Sequence, residues 1–190
     1  ETANLAMKAG ANIAVHTFNG MRAFNHREPG CLGAFLTNEE VYCELIADLE
    51  HVHPAAIKLL YKAKGLEKIL LISDSMAAAD LPDGDYELGS LPVKVVNGTA
   101  RTLETGSLAG STANMMDCLR NMYDVLNLPL EVILPMTSRN QAELLGIDNE
   151  TGSLEAGKKL NAAIINDDFE VQATFVNGLA VYERDLNRCL

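Results

Sequence analysis

Three short apolar runs, each stopping at a group that can do chemistry, constrain this chain more than anything else in it. Residues 12–15 (NIAV) run into His16. Residues 41–47 (VYCELIA) run into Asp48, with His51 three positions on. Residues 68–73 (KILLIS) run into Asp74. Runs this short and this apolar read as buried strands. Between the second and third lies HVHPAAIKLLYKAKG, with Pro54 suited to a first helical turn and Gly65 to a C-terminal cap. Strand, helix, strand implies parallel pairing with helical crossovers. In a parallel α/β barrel the carboxyl ends of the strands converge on one mouth, and active sites lie there. A set of His, Asp with His, and Asp suits metal-assisted hydrolysis: an imidazole can hold a borderline metal, and a carboxylate can take a proton from a water on it.

Each of these residues also has a plainer reading. His16 could be a hydrogen-bonded residue behind a site. Asp74 could cap a following turn. The histidines of HVHP could cap a helix or face solvent, since the His51-Val52-His53 pair runs into a helix and not along a strand. Arg27, in NHREPG, could be a solvated loop arginine. Ser111 or Thr112, in LAGST, could cap a helix start.

The remaining chain divides by texture. TANLAMKAG reads as a short helix closed by Gly10. Residues 84–106 alternate and carry turn signals, Asn97-Gly98 among them, and read as an inserted hairpin. SLAGSTANMMDCLRNMYDVL starts a helix with apolar Met115, Cys118, Leu119, Met122 and Val125. LEVILPMTSRNQAELLG is helical around Pro135 and ends at Gly146. The tail from residue 151 returns to short strands and Gly turns. We therefore expect an α/β body over 1–150 and a small all-β end over 151–190.

Charge narrows the partners. The formal net charge of −11 argues against nucleic acid and anionic membrane surfaces. An anionic substrate must then be held by a local basic spot. The 190 residues, 48% hydrophobic and 22% charged, have ordinary soluble globular composition. No apolar run is long enough to span a bilayer, and the first residues lack the pattern of a signal peptide. Cys31, Cys43, Cys118 and Cys189 are scattered without C-x-x-C spacing and read as reduced thiols of a cytoplasmic protein.

Five ordered blocks carry a resemblance: HTFNGM at 16–21, HREPG at 26–30, IADLEHVHP at 46–54, LISDSM at 71–76 and GSLAGST at 106–112. Together they resemble the N-acetylglucosamine-6-phosphate deacetylases of the amidohydrolase superfamily, and GSLEAGKKLNAAII resembles that superfamily's closing segment. The resemblance covers essentially the whole chain. It implies the C-terminal part of a TIM-like (β/α)8 barrel with part of a small β-sandwich. It implies a divalent metal, zinc by default or iron, with His16 a ligand and Asp74 the catalytic acid and base. Asn19, Gly20, Asp48, His51 and the backbone of Leu108, Ala109 and Gly110 would bind the sugar. Arg27 would hold the phosphate, reaching into the neighbouring subunit of a homodimer. The implied reaction attacks the acetamide with water that Asp74 deprotonates, His51 polarising the carbonyl, and yields glucosamine 6-phosphate and acetate.

Two departures go with it. The family's other metal ligands, a glutamate and a second histidine, would precede Glu1, so the chain alone is expected to be inactive. The usual Asp-Gly-x-His is Asp48-Leu49-Glu50-His51 here, which crowds the loop if its backbone needs a positive φ. Two alternatives remain: a deacetylase of another N-acetylhexosamine phosphate, and a non-catalytic half-barrel that serves as an interaction module.

Overall fold

A computed structural model of the chain describes residues 1–184; Cys189 lies outside them. Helix α1 (Thr2–Lys8) leads into β1 (Ile13–Ala14), and α2 (Gly30–Thr37) into β2 (Tyr42–Ile46). Helix α3 (Pro54–Lys64) then leads to β3 (Ile69–Ile72). The three strands form one parallel sheet in the order β1-β2-β3, with Cys43 opposite Ile69 and Ile46 opposite Ile72. Ile69, Leu70 and Leu71 are all buried, the mark of a strand covered on both faces. Fully burying such a side chain is worth about 1.5–3 kcal/mol, so the sheet sits at the centre of the core.

The crossover α3 forms for legible reasons. The His53 ring accepts a hydrogen bond from the Ala55 N–H, Pro54 begins the helix, and Gly65 at φ 66° ends it. Ile57 and Leu60 face the core. Lys64, buried on the same side, donates its ammonium to the carbonyls of Phe35 and Asn38 at the end of α2. The preceding helix α2 has no counterpart in the periodicity of the sequence. Its Gly33 is needed for contact, because a Cβ there would stand 2.3 Å from that of Pro29.

The segment after β3 forms three strands where alternation suggested two: β4 (Gly84–Leu88), β5 (Leu91–Val96) and β6 (Thr99–Thr102), all antiparallel. Asn97 and Gly98 turn β5 into β6 with φ of 51° and 73°. Both amides are held by the Asp83 carboxylate. Met76, Ala78, Val93, Val95, Ala100 and Ala109 make a small core beneath this sheet.

Helix α4 (Met115–Leu126) starts later than the sequence suggested. The cap is neither Ser111 nor Thr112 but Asn114, in a reciprocal capping box with Asp117. The stretch around Pro135 breaks into α5 (Leu130–Ile133), a 3-10 turn (Leu134–Thr137) and α6 (Arg139–Leu145), as a proline without an N–H requires.

The chain clusters into two compact units, Glu1–Thr137 and a second beginning at Ser138. The second holds α6 and a three-stranded antiparallel sheet, β7 (Ala162–Ile165), β8 (Val171–Val176) and β9 (Leu179–Glu183). No helix among the described residues is long and apolar enough to cross a membrane.

Candidate active site

All three strands of the parallel sheet end in backbone that L-residues avoid. His16, just past β1, has φ 33°. Leu49, just past Asp48, has φ 68°. Asp74, two residues beyond β3, has φ 49°. Left-handed backbone costs a non-glycine residue about 1–2 kcal/mol. Such strain collects where function over-determines the geometry.

The strongest cluster lies after β2. The Asp48 carboxylate accepts four hydrogen bonds. One oxygen takes the backbone N–H groups of Glu50 (3.0 Å) and His51 (2.8 Å). The other takes His51 Nδ1 (2.6 Å) and the Ser111 hydroxyl (2.9 Å). The Asp48 and His51 side chains are each 7% exposed. Burial by itself would push the Asp48 carboxyl up. The hydrogen bonds and charge of His51, with that of Ser111, outweigh it and hold the group below the ordinary carboxylate value. With Nδ1–H committed to Asp48, the atom His51 offers a ligand is Nε2, an acceptor when the ring is neutral and a donor when it is charged.

Next to this pair is a cleft of about 360 Å³ lined by Asp48, Glu50, His51, Leu108, Gly110 and Ser111. The β5–β6 turn and α4 complete its walls, the latter through Asp117, Arg120 and Asn121. Ala109 turns away from it into the small core, its N–H on the Ala100 carbonyl. Asn121 also donates to the Ala47 carbonyl (2.8 Å), one residue before Asp48.

Asp74 is tied to the same loop through its backbone. Its carbonyl accepts the Ser111 N–H (2.9 Å), and the Ser111 carbonyl accepts the Met76 N–H (2.9 Å). Gly110, at φ 69°, fits between. A Cβ there would stand 3.1 Å from that of Met76 and 3.4 Å from the Asp74 carbonyl. The Asp74 side chain is exposed.

His16 is oriented in the manner of a metal ligand. Its Nδ1 meets the Asn19 carbonyl at 3.0 Å, which leaves Nε2 free to coordinate. Its backbone N–H is held by Glu44 of β2 (3.0 Å). One imidazole is not a metal centre, however. Among the described residues no group of three or more His, Cys, Asp or Glu could hold a metal ion, whereas a catalytic zinc site uses about three protein ligands. These residues fit one corner of a metal site and not a whole one.

The structure thus gathers Asp48, His51, Leu108, Gly110 and the backbone of Asp74 around one loop, and sets Asn19 beneath His16. Gly20, at φ 66°, borders the His16 ring. Arg27 stands apart, exposed on a loop whose backbone is turned by the Asn25 side chain. Sequence reasoning missed three contributors. Glu44 had a signal, a lone charge within an apolar strand. Asn121 had one too, a polar residue beside the buried stripe of α4. Ser111 was in view but was read as a cap.

Residues 1–181 match the model of the Amidohydrolase family. The chain is 40% identical over 183 residues to the N-acetylglucosamine-6-phosphate deacetylase of Vibrio furnissii, covering 96% of this chain and 45% of that protein. It is also 40% identical over 164 residues to a putative N-acetylgalactosamine-6-phosphate deacetylase of Escherichia coli K12, covering 86% of this chain and 97% of that protein. Among solved structures, it superposes with a TM-score of 0.89 and 35% identity on a mutant Mycobacterium smegmatis N-acetyl-D-glucosamine-6-phosphate deacetylase in complex with N-acetyl-D-glucosamine-6-phosphate. That match covers 94% of this chain and 48% of the other. The chain spans about half the length of the Vibrio and mycobacterial proteins.

Proposed function

Because the chain belongs to the amidohydrolase family, we propose that it is part of a deacetylase that hydrolyses N-acetylglucosamine 6-phosphate to glucosamine 6-phosphate and acetate. The observation that carries this is that the backbone of Asp74 and the carboxylate of the Asp48–His51 pair are both bonded to the Ser111 loop, which borders a cleft, with His16 at the neighbouring strand end.

In this reading His51 binds the acetamide oxygen or a sugar hydroxyl through Nε2, its ring fixed by Asp48. Asp74 takes the proton of the attacking water and returns it to the departing amine. Charge developing on the carbonyl oxygen is met by His51 when its ring is protonated. Leu108, Gly110 and the backbone of Ala109 wall the sugar, and Asn19 and Gly20 lie toward its phosphate. Arg27 supplies the guanidinium fork that suits a phosphate dianion, in the adjacent site of a homodimer. A divalent ion, zinc or iron, belongs to the whole protein, with His16 one of its ligands. The parallel sheet is then a portion of a (β/α)8 barrel over residues 1–150, and residues 151–190 a portion of a β-sandwich. A cytoplasmic setting accords with the free thiols of Cys31, Cys43 and Cys118.

The test is acetate release by the full-length protein, wild type against Asp74→Asn. The mutant is expected to lose at least about a hundredfold in kcat; turnover equal to wild type would remove Asp74 from its role. The similarity to the E. coli protein favours one second reading, N-acetylgalactosamine 6-phosphate as substrate. Comparing kcat/KM on the two sugars decides it.

A further inference from the structure

Four bonds converge on one small buried residue, Ser111, which is 2% exposed. Its backbone N–H and C=O clasp Asp74 and Met76 on either side of a parallel bridge to Ser75. Its hydroxyl donates to Asp48 at 2.9 Å and accepts the Ala113 N–H at 3.0 Å. A serine that only shaped a turn would be satisfied by the Ala113 contact. Here the single hydroxyl proton goes to a buried carboxylate on another strand end, on the same oxygen that receives His51 Nδ1.

We propose that Ser111 is a positioning residue of the hydrolysis: its hydroxyl fixes the Asp48 carboxylate and through it the tautomer and aim of His51, while its backbone fixes Asp74. The two groups that must meet one acetamide are thereby referenced to a single residue. Losing the hydroxyl leaves one Asp48 lone pair empty in a buried setting, and the carboxylate can rotate to refill it. His51 then turns with it. A shift of that kind, on the order of 1 Å, is enough to cost about a hundredfold. Asp74, held by backbone atoms, stays in place. This role rests on the proposed deacetylation, so its test has one arm that needs no substrate.

The experiment uses full-length protein. Ser111→Ala is expected to lower kcat about tenfold to a hundredfold with KM changed less than about threefold. In a His51→Ala background the same change is expected to cost almost nothing, since a residue acting through His51 has nothing left to position. Losses that multiply in the double mutant would show a general structural role and overturn the proposal. Ser111→Thr and Ser111→Val match each other in shape but differ in the hydroxyl. Thr is expected to recover activity relative to Val, and equal activity of the two would also overturn it. The independent arm is nitrogen NMR of the His51 ring, expected to show Nδ1–H in the wild type and a shifted tautomer population in Ser111→Ala. Unchanged ring resonances would overturn the positioning whatever the substrate proves to be. If the wild type releases no acetate from either sugar while the ring does respond, the deacetylase reading fails and the Ser111–Asp48–His51 coupling stands.

Discussion

Leu49 stands where a side chain costs most. Its φ of 68° is left-handed backbone, and its side chain, 39% exposed, regains little by burial. Leu49→Gly is expected to stabilise the fold by about 0.5–1 kcal/mol, the steric relief reduced by glycine's larger unfolded-state entropy. Urea denaturation measures it, and a loss of stability would mean that Leu49 packs usefully. Asp48, one residue earlier, makes the fold sensitive to acid. Its folded-state pKa lies below the ordinary value. The stability it contributes is therefore present above about pH 4, near its unfolded value, and drains away as pH falls through the folded one. Asp48→Asn is expected to flatten the stability curve in that acid window and to weaken the hold on His51 at every pH. Stability measured across the window in both proteins checks this; parallel curves would refute it.

At the scale of elements, the parallel sheet was legible because each strand is a short, almost wholly apolar run, and α3 because its Pro54 and Gly65 bracket it. Helix α2 was not legible: GCLGAFLT carries two glycines and no polar stripe, and tertiary contact decides its conformation, as the Gly33–Pro29 approach shows. The site was legible as a list of strand ends. The loop that joins them was not, because its bonds run between residues far apart in sequence. LAGST looked like a helix start, yet the reciprocal bonding that defines a cap belongs to Asn114 and Asp117. That cap has reach, since α4 carries Asn121, which holds the Ala47 carbonyl beside Asp48. Asn114→Ala is expected to cost about 1 kcal/mol and to lower kcat modestly through α4. Chemical denaturation together with acetate release tests both halves of the expectation.

For the whole molecule, the charge of −11 sets a problem that Arg27 solves in the proposed reading. An acidic surface repels a phosphorylated sugar, so a positive group must be supplied locally. Arg27→Ala in the full-length protein is expected to raise KM for the phosphorylated sugar by at least about tenfold while the melting temperature stays near that of the wild type, because the residue is exposed. An unchanged KM would move the phosphate site elsewhere.

The order β1-β2-β3 has a physical corollary. Among the described residues β1 pairs with a strand on its β2 side alone. Beside β1 the apolar side chains of Ile13 and Val15 are exposed. An open, sticky border of this kind is a template for another chain's backbone. Prepared by itself at high concentration, this polypeptide is expected to self-associate along β1.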